Sequence, residues 1–276
     1  MHCQSPIRLF LRINRINAMN IRHLLLLALA ITVSGCAHNA TPTNPYDPWE
    51  DTNRRVYDFN DALDRNVLKP AADGYQAVTP RFVRRGVTNF FDNVTYPKVI
   101  VNSFLQGKGR EGVQDTGRFL INSTLGLGGL LDVATPMGLP VHNEDFGQTL
   151  AVWGANSGPY MVLPGVGPYT VRHAADIPAA AATNPLTYTV SWTVGLPLTV
   201  LYAVNTRANL EQAARLRDEA AHDPYIFTRS AYLQYRQNLI YDGSPPMDDY
   251  YDDDLFDEAF DDAFDDAFDD AFDDEF

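Results

Sequence analysis

Apolar residues recur at steps of three and four through most of the chain. Val56, Phe59, Leu63 and Val67 make one such stripe. Asp47, Pro48 and Glu50 precede it as N-cap, first and third helical positions, and Lys69-Pro70 reads as its end. A second stripe holds Val83, Val87, Phe90 and Val94, with Arg84 and Arg85 off it. After Pro97 a third carries Ile100 and Phe104 and stops at Gly107. A fourth, Val113, Leu120, Ile121 and Leu125, stops at a glycine cluster. A last helix over residues 205–220 is laced by Arg207–Glu211 and Glu211–Arg215 at i,i+4 spacing. Few stretches alternate with period two. The pattern predicts an all-α, predominantly helical body.

Two apolar segments do not suit an ordinary soluble bundle. Residues 125–140, "LGLGGLLDVATPMGLP", are rich in glycine and hold one acid. Gly126, Gly128, Gly129 and Gly138 make this a candidate movable hairpin, because glycine lowers the cost of unusual backbone angles. Residues 186–204 run without a charge, but Gly195 and Pro197 fall in their middle. Two short helices lying in or against a membrane leaflet fit that break better than one spanning helix; a buried core hairpin is the competing reading.

A third apolar run, Leu24 to Val33, is too short to span and is followed by Ser34, Gly35 and Cys36. With Arg22 and His23 in front, it has the layout of a secretory signal, and "VSGC" has the form of a bacterial lipobox. Cys36 is then the lipid-attachment residue and the first mature residue. A compact signal starts at Met19, so residues 1–18 read as an upstream extension. Ala37 follows the cysteine where an Asp would favour the inner membrane, which points to the outer one, with the protein held by its lipid and facing the periplasm. Residues 36–46 read as a tether, 47–245 as one domain and 246–276 as an acidic tail.

The net charge of −14 is unevenly placed. The tail holds 16 acids and no base, whereas residues 36–245 carry 17 bases and 19 acids. Phe recurs every fourth residue from 256 to 276, but neighbouring carboxylates repel and Asp is a poor helix former. The tail is expected to be disordered when free, either as a solvated extension or as a charged docking arm. Cys3 and Cys36 are the only cysteines, which excludes a disulfide in the mature chain and cysteine-based zinc or thiol chemistry.

Catalytic motifs are missing: there is no H-E-x-x-H, no G-x-S-x-G and no P-loop. "HNED" at 142–145 gathers an imidazole and two carboxylates, yet reads first as a surface loop. In "GPYMVLPGVGPYTVR", 158–172, Gly158, Pro159, Pro164 and Gly167 bracket a strand-like core and make a candidate channel-wall motif. Pro168, Thr170 and Val171 argue against a helix start there, and so against a phosphate cradle. No metal or cofactor is expected, and the chain reads as a non-enzyme.

The blocks "DPWEDTNRRVYDFNDALDRNVLKP", "VNSFLQG", "TGRFLINSTLGLGGLLDVA", "EDFGQTLAVWG", "GPYMVLPGVGPYTVR" and "DPYIFTRSAYLQYR" resemble, in order, those of the MlaA family, also called VacJ. His173 departs from it where an acid is usual after Arg172. The resemblance implies a ring-shaped bundle of amphipathic helices lying in the inner leaflet of the outer membrane around a central amphipathic channel. It implies removal of mislocalised phospholipids from the outer leaflet and their transfer to a periplasmic phospholipid carrier protein. It further implies association with an outer-membrane trimeric porin and no nucleic-acid partner. A porin-associated scaffold without its own channel is the alternative.

Overall fold

The computed structural model describes residue 44 and residues 46–246. Cys36, Ala37, the signal region and the Phe-repeat tail from 247 onward lie outside the described residues. The described chain is predominantly helical, as the periodicity predicts. Its order is α1 (Glu50–Leu63), a π-helical turn (Asp64–Leu68), α2 (Lys69–Val78), α3 (Arg81–Leu105), α4 (Gly109–Thr124) and α5 (Phe146–Val152). Strands β1 (Tyr160–Leu163) and β2 (Gly167–Thr170) follow, then α6 (Val171–Ala174), α7 (Asp176–Thr183), α8 (Leu186–Thr189), α9 (Trp192–Asn209), α10 (Glu211–Ala220) and α11 (Pro224–Ile240). The strands form an antiparallel hairpin in which Tyr160 faces Thr170 and Leu163 faces Gly167.

Several helix boundaries differ from those expected. Three prolines read as stops lie inside helical runs. Pro70 lacks the N–H that an α-helix would use, and the widened π turn just before it relieves the ring's clash with the preceding turn, so helix resumes to Val78. Pro97 sits within the single 25-residue α3 rather than between two helices. Pro197 and Gly195 sit in the first turns of α9; the uncharged segment breaks earlier, at Val190–Ser191. The expected helix over 205–220 is two, split at Leu210, although Glu211 does bridge Arg207 and Arg215 at 2.8 and 2.9 Å. Asp47 is not the cap of α1, whose N-cap is Trp49. Instead Asp47 is buried, accepting from Asn53 Nδ2 at 2.8 Å, Arg229 Nη1 at 3.0 Å and the Tyr225 hydroxyl.

The described interior is unusual in composition. Tyr160, Val162 and Tyr225 form a small buried cluster, packed by Val56, Tyr57, Ile226, Tyr232 and Leu233. Elsewhere polar side chains take the inside. Among the described residues, nine apolar side chains are buried against nineteen polar or charged ones, which reverses the usual preference. On α4 the predicted stripe residues Val113 and Leu120 are 65% and 54% exposed, while Asp115 and Arg118 on the other face are 0% and 6% exposed. Val194, Leu196, Val200 and Tyr202 of α9 are exposed too, so the uncharged segment is not a buried core hairpin. No described helix is long and apolar enough to cross a membrane.

Candidate functional site

Two helix faces of like polarity build the site. On α3, Asn89, Asp92, Asn93 and Tyr96 recur at steps of one, three and four; on α4, Arg118 and Asn122 do the same. These faces line a cavity of about 360 Å³, closed on another side by Asp132 and by Val141, His142 and Asn143. The segment between α4 and α5 is pinned across it. Asn122 Oδ1 accepts from the Val133 and Ala134 N–H groups at 2.9 and 3.0 Å. Arg118 donates to Thr135 Oγ1, to the Leu139 carbonyl and to Asp132 Oδ2 at 2.8, 3.0 and 2.7 Å. Burial disfavours the Asp132 carboxylate, but donors from Thr135, Arg118 and Asn122 outweigh it and bring its pKa down to about 2.

Asp115 anchors the floor. It accepts from the Tyr96 hydroxyl at 2.9 Å and from Ser103 Oγ at 2.9 Å, and His142 Nδ1 lies 2.8 Å away. Burial, then the Asp115 charge, push the Tyr96 phenol well above its usual range, so it stays a donor. Asp92 is different: its side chain opens onto the cavity, and no described hydrogen bond or ion pair reaches its carboxylate. Asp92 is exposed at the cavity mouth, and the protein crowding around it raises its pKa, opposed by Arg118 and reinforced by Asp132.

The "HNED" stretch is not the surface loop expected, since Glu144 and Asp145 are buried. Each is buried with a partner, which is the condition for keeping a charge inside. Lys108 Nζ reaches Glu144 at 2.7 Å. Arg236 grips both Asp145 oxygens at 2.5 and 3.0 Å, and Asp145 also caps α5 through the Gln148 N–H. Burial opposes ionisation of Asp145, but Arg236 holds its carboxyl far below the usual carboxylate range. His173 stacks on Tyr169 at 4.5 Å, with Nδ1 2.9 Å from the Tyr232 hydroxyl. Burial and the nearby Arg236 lower its pKa, so the imidazole is neutral beside Asp145.

The predicted glycines fall in two places. Gly126, Gly128, Gly129 and Gly138 lie in the turns between α4 and α5, where Gly126 and Gly129 approach the cavity residues Asn122 and Asn93. At Gly129, φ is +92° and a Cβ would stand 2.5 Å from the Asn93 side chain, so the loop backbone lies directly against α3. Gly128 and Gly138 also have positive φ, but with open space around them. Gly158, Pro159, Pro164 and Gly167 surround the hairpin. Pro164 and Gly165, with φ of +70°, occupy the middle of a turn closed by Val166 N–H to Leu163 O, the pattern of a type II turn. Thr170 does start a helix, the single turn α6, accepting from the His173 N–H where β-branching was read as an obstacle. The sequence reading missed Asp92, Asp115, Arg118, Asn122 and Asp132. The available signal was a polar stripe at helical period, 115, 118 and 122, beside the apolar one.

The residues matched by the MlaA lipoprotein family model are 45–239. The intermembrane phospholipid transport system lipoproteins MlaA of Shigella flexneri and of Escherichia coli K12 are both 36% identical over 224 residues, covering 79% of this chain and 88% of theirs. An uncharacterised Rickettsia felis protein is 38% identical over 193 residues, 70% of this chain and 77% of its own. A solved structure described under "Structural basis for maintenance of bacterial outer membrane lipid asymmetry" superposes with a TM-score of 0.63 at 35% identity, over 70% of this chain and 98% of its own. With the family model spanning most of the domain, the chain belongs to the MlaA lipoprotein family.

Proposed function

We propose that this chain is the lipoprotein component of an intermembrane phospholipid transport system and maintains outer-membrane lipid asymmetry. The observation that carries the reading is the inverted burial: apolar side chains face outward, while a polar cavity lined by charged groups lies between the helices. A headgroup entering hydrocarbon loses its water without gaining partners, and a polar recess beside apolar surface lowers that cost while acyl chains remain in apolar surroundings. The named roles of the Shigella and Escherichia relatives support the same direction.

In this proposal phospholipids move from the outer leaflet, through an amphipathic channel that includes the cavity, to a periplasmic carrier protein. A trimeric porin holds the domain at its site. The loop from Gly126 to Gly138 is the movable element, with Gly128 and Gly138 its freest points and the hairpin at Gly158, Pro159, Pro164 and Gly167 a fixed wall. Cys36 carries the lipid anchor. No bond is made or broken in the lipid.

The test is outer-leaflet phospholipid in a strain lacking the chain. It should rise, and fall again when the wild-type chain is restored. Unchanged asymmetry would favour a scaffold without transport. Cys36→Ala should abolish acyl labelling; retained label would remove the anchor assignment.

A further inference from the structure

The cavity between α3 and α4 has an imbalance that the general transport reading does not use. Its cation is committed: Arg118 serves Thr135, Leu139 and Asp132. Its acid Asp92 has no partner among the described residues. Its amides are each engaged through one N–H. Asn89 donates to the Leu130 carbonyl at 3.2 Å, Asn93 to Ser123 Oγ at 2.9 Å and Asn143 to the Tyr235 hydroxyl at 3.2 Å. Each amide spends one of its two N–H groups there, and no described donor reaches the three Oδ1 atoms. The recess therefore offers one free carboxylate and three free amide oxygens, and lacks a free cation to match.

A primary ammonium is the complement of that set. It carries one positive charge and three N–H donors, and it has no acceptor to leave unmatched. A quaternary ammonium has the charge without donors. A glycerol headgroup has hydroxyl donors without the charge, on an anionic lipid that Asp92 repels. The volume of about 360 Å³ accommodates a headgroup rather than a whole lipid. Val141 lines the cavity and is exposed, and exposed Leu130 takes the Asn89 bond, so apolar surface for acyl chains begins where the polar lining ends.

We propose that this cavity is an ammonium-selective headgroup subsite, in which Asp92 with Asn89, Asn93 and Asn143 receives the primary amine of a phosphatidylethanolamine. The inference rests on the transport reading and narrows its substrate class. The raised pKa of Asp92 is consistent with a carboxylate awaiting a cation. Asp92 is exposed at the cavity and bonded to no described side chain, so Asp92→Asn should melt no lower than wild type.

The experiment is native mass spectrometry of the full chain in detergent, with phosphatidylethanolamine, phosphatidylcholine and phosphatidylglycerol of equal acyl length offered together. Wild type should retain phosphatidylethanolamine over either competitor by about tenfold, the ratio expected for one charge-assisted contact. Asp92→Asn should bring the three lipids close to parity, and Asp92→Glu should recover much of the preference. Parity in the wild-type protein would overturn the subsite while leaving lipid transport standing, and so would an unchanged preference in Asp92→Asn. Retention of none of the lipids would instead count against the transport reading itself. Soluble phosphoethanolamine in excess should displace the bound lipid. Its binding without any retention of phosphatidylethanolamine would assign the recess to a free amine and overturn the lipid assignment.

Discussion

Around β1 an apolar cluster is hidden from water beside a buried polar set, Asp47, Asn53 and Arg229. Tyr160, Val162 and Tyr225 meet Val56, Tyr57 and Leu233, and the rings of Tyr160 and Tyr225 pack edge to face at 6.2 Å. Along α4 the hidden side chains are Asp115, Arg118 and Asn122, and the apolar ones look outward. Both regions use amphipathic elements with the same period. They differ in which solvent each face meets, and so in what their stability depends on. The β1 region combines apolar packing with buried polar ties: Asn53 Oδ1 accepts from the Val162 N–H at 2.9 Å and Asp47 pairs with Arg229 at 3.0 Å. The α4 region is held by hydrogen bonds around a cavity and is steadied by packing to a lesser degree.

Substitutions can break this contrast. The largest effect is expected at Tyr160, 1% exposed: Tyr160→Ala should cost about 3–5 kcal/mol, as for other large aromatics removed from a core, read from denaturant unfolding in detergent. A loss under 1 kcal/mol would deny that the β1 cluster is a core. Asn122→Leu keeps the volume but strands the Val133 and Ala134 N–H groups. Unfolding should become easier by roughly 1–3 kcal/mol, and hydrogen exchange at those two amides should rise well before that of β1.

Acid should separate the regions next. Asp132 has a depressed folded-state pKa, so its contribution is fully present above the ordinary value of 3.8 and is lost as pH falls through about 2. Exchange protection near Thr135 should fall across that window, and Asp132→Asn should flatten the response; an identical pH profile in both proteins would exclude Asp132 as the source. The smallest stability change is expected at Leu120, where Leu120→Asn should alter unfolding in detergent by under about 0.5 kcal/mol. The same change should reduce partition into lipid vesicles. A core-sized loss of stability would mean that this face is covered by protein rather than lipid.

Much of the helical content was legible, because periodicity depends only on spacing. Polarity direction was not. The stripe of Val113, Leu120 and Ile121 looks the same whether it faces a core or a bilayer, and only the buried partners of Asp115 and Arg118 decide between them. Pro70 misled for a local reason: the rule for stops counts the missing N–H and the clash, not the π turn before it that accommodates both. Asp47 misled for a distant one, since its partners Tyr225 and Arg229 lie 178 and 182 residues away. The HNED stretch was misplaced likewise, because Lys108 and Arg236 arrive from opposite sides in sequence. Of the site, the glycine loop was visible from composition, and Asp92 was not.

The outward-facing apolar side chains carry a cost that begins before the protein reaches its destination. Phe82, Val113, Leu125 and Leu127 are each more than 60% exposed in the finished fold, so folding alone does not remove them from water. In any aqueous compartment on its route the completed domain is stickier than an ordinary folded protein, and faster folding offers no protection. Overproduction in such a compartment should yield aggregates of folded chains, rich in native helix, rather than of unfolded ones.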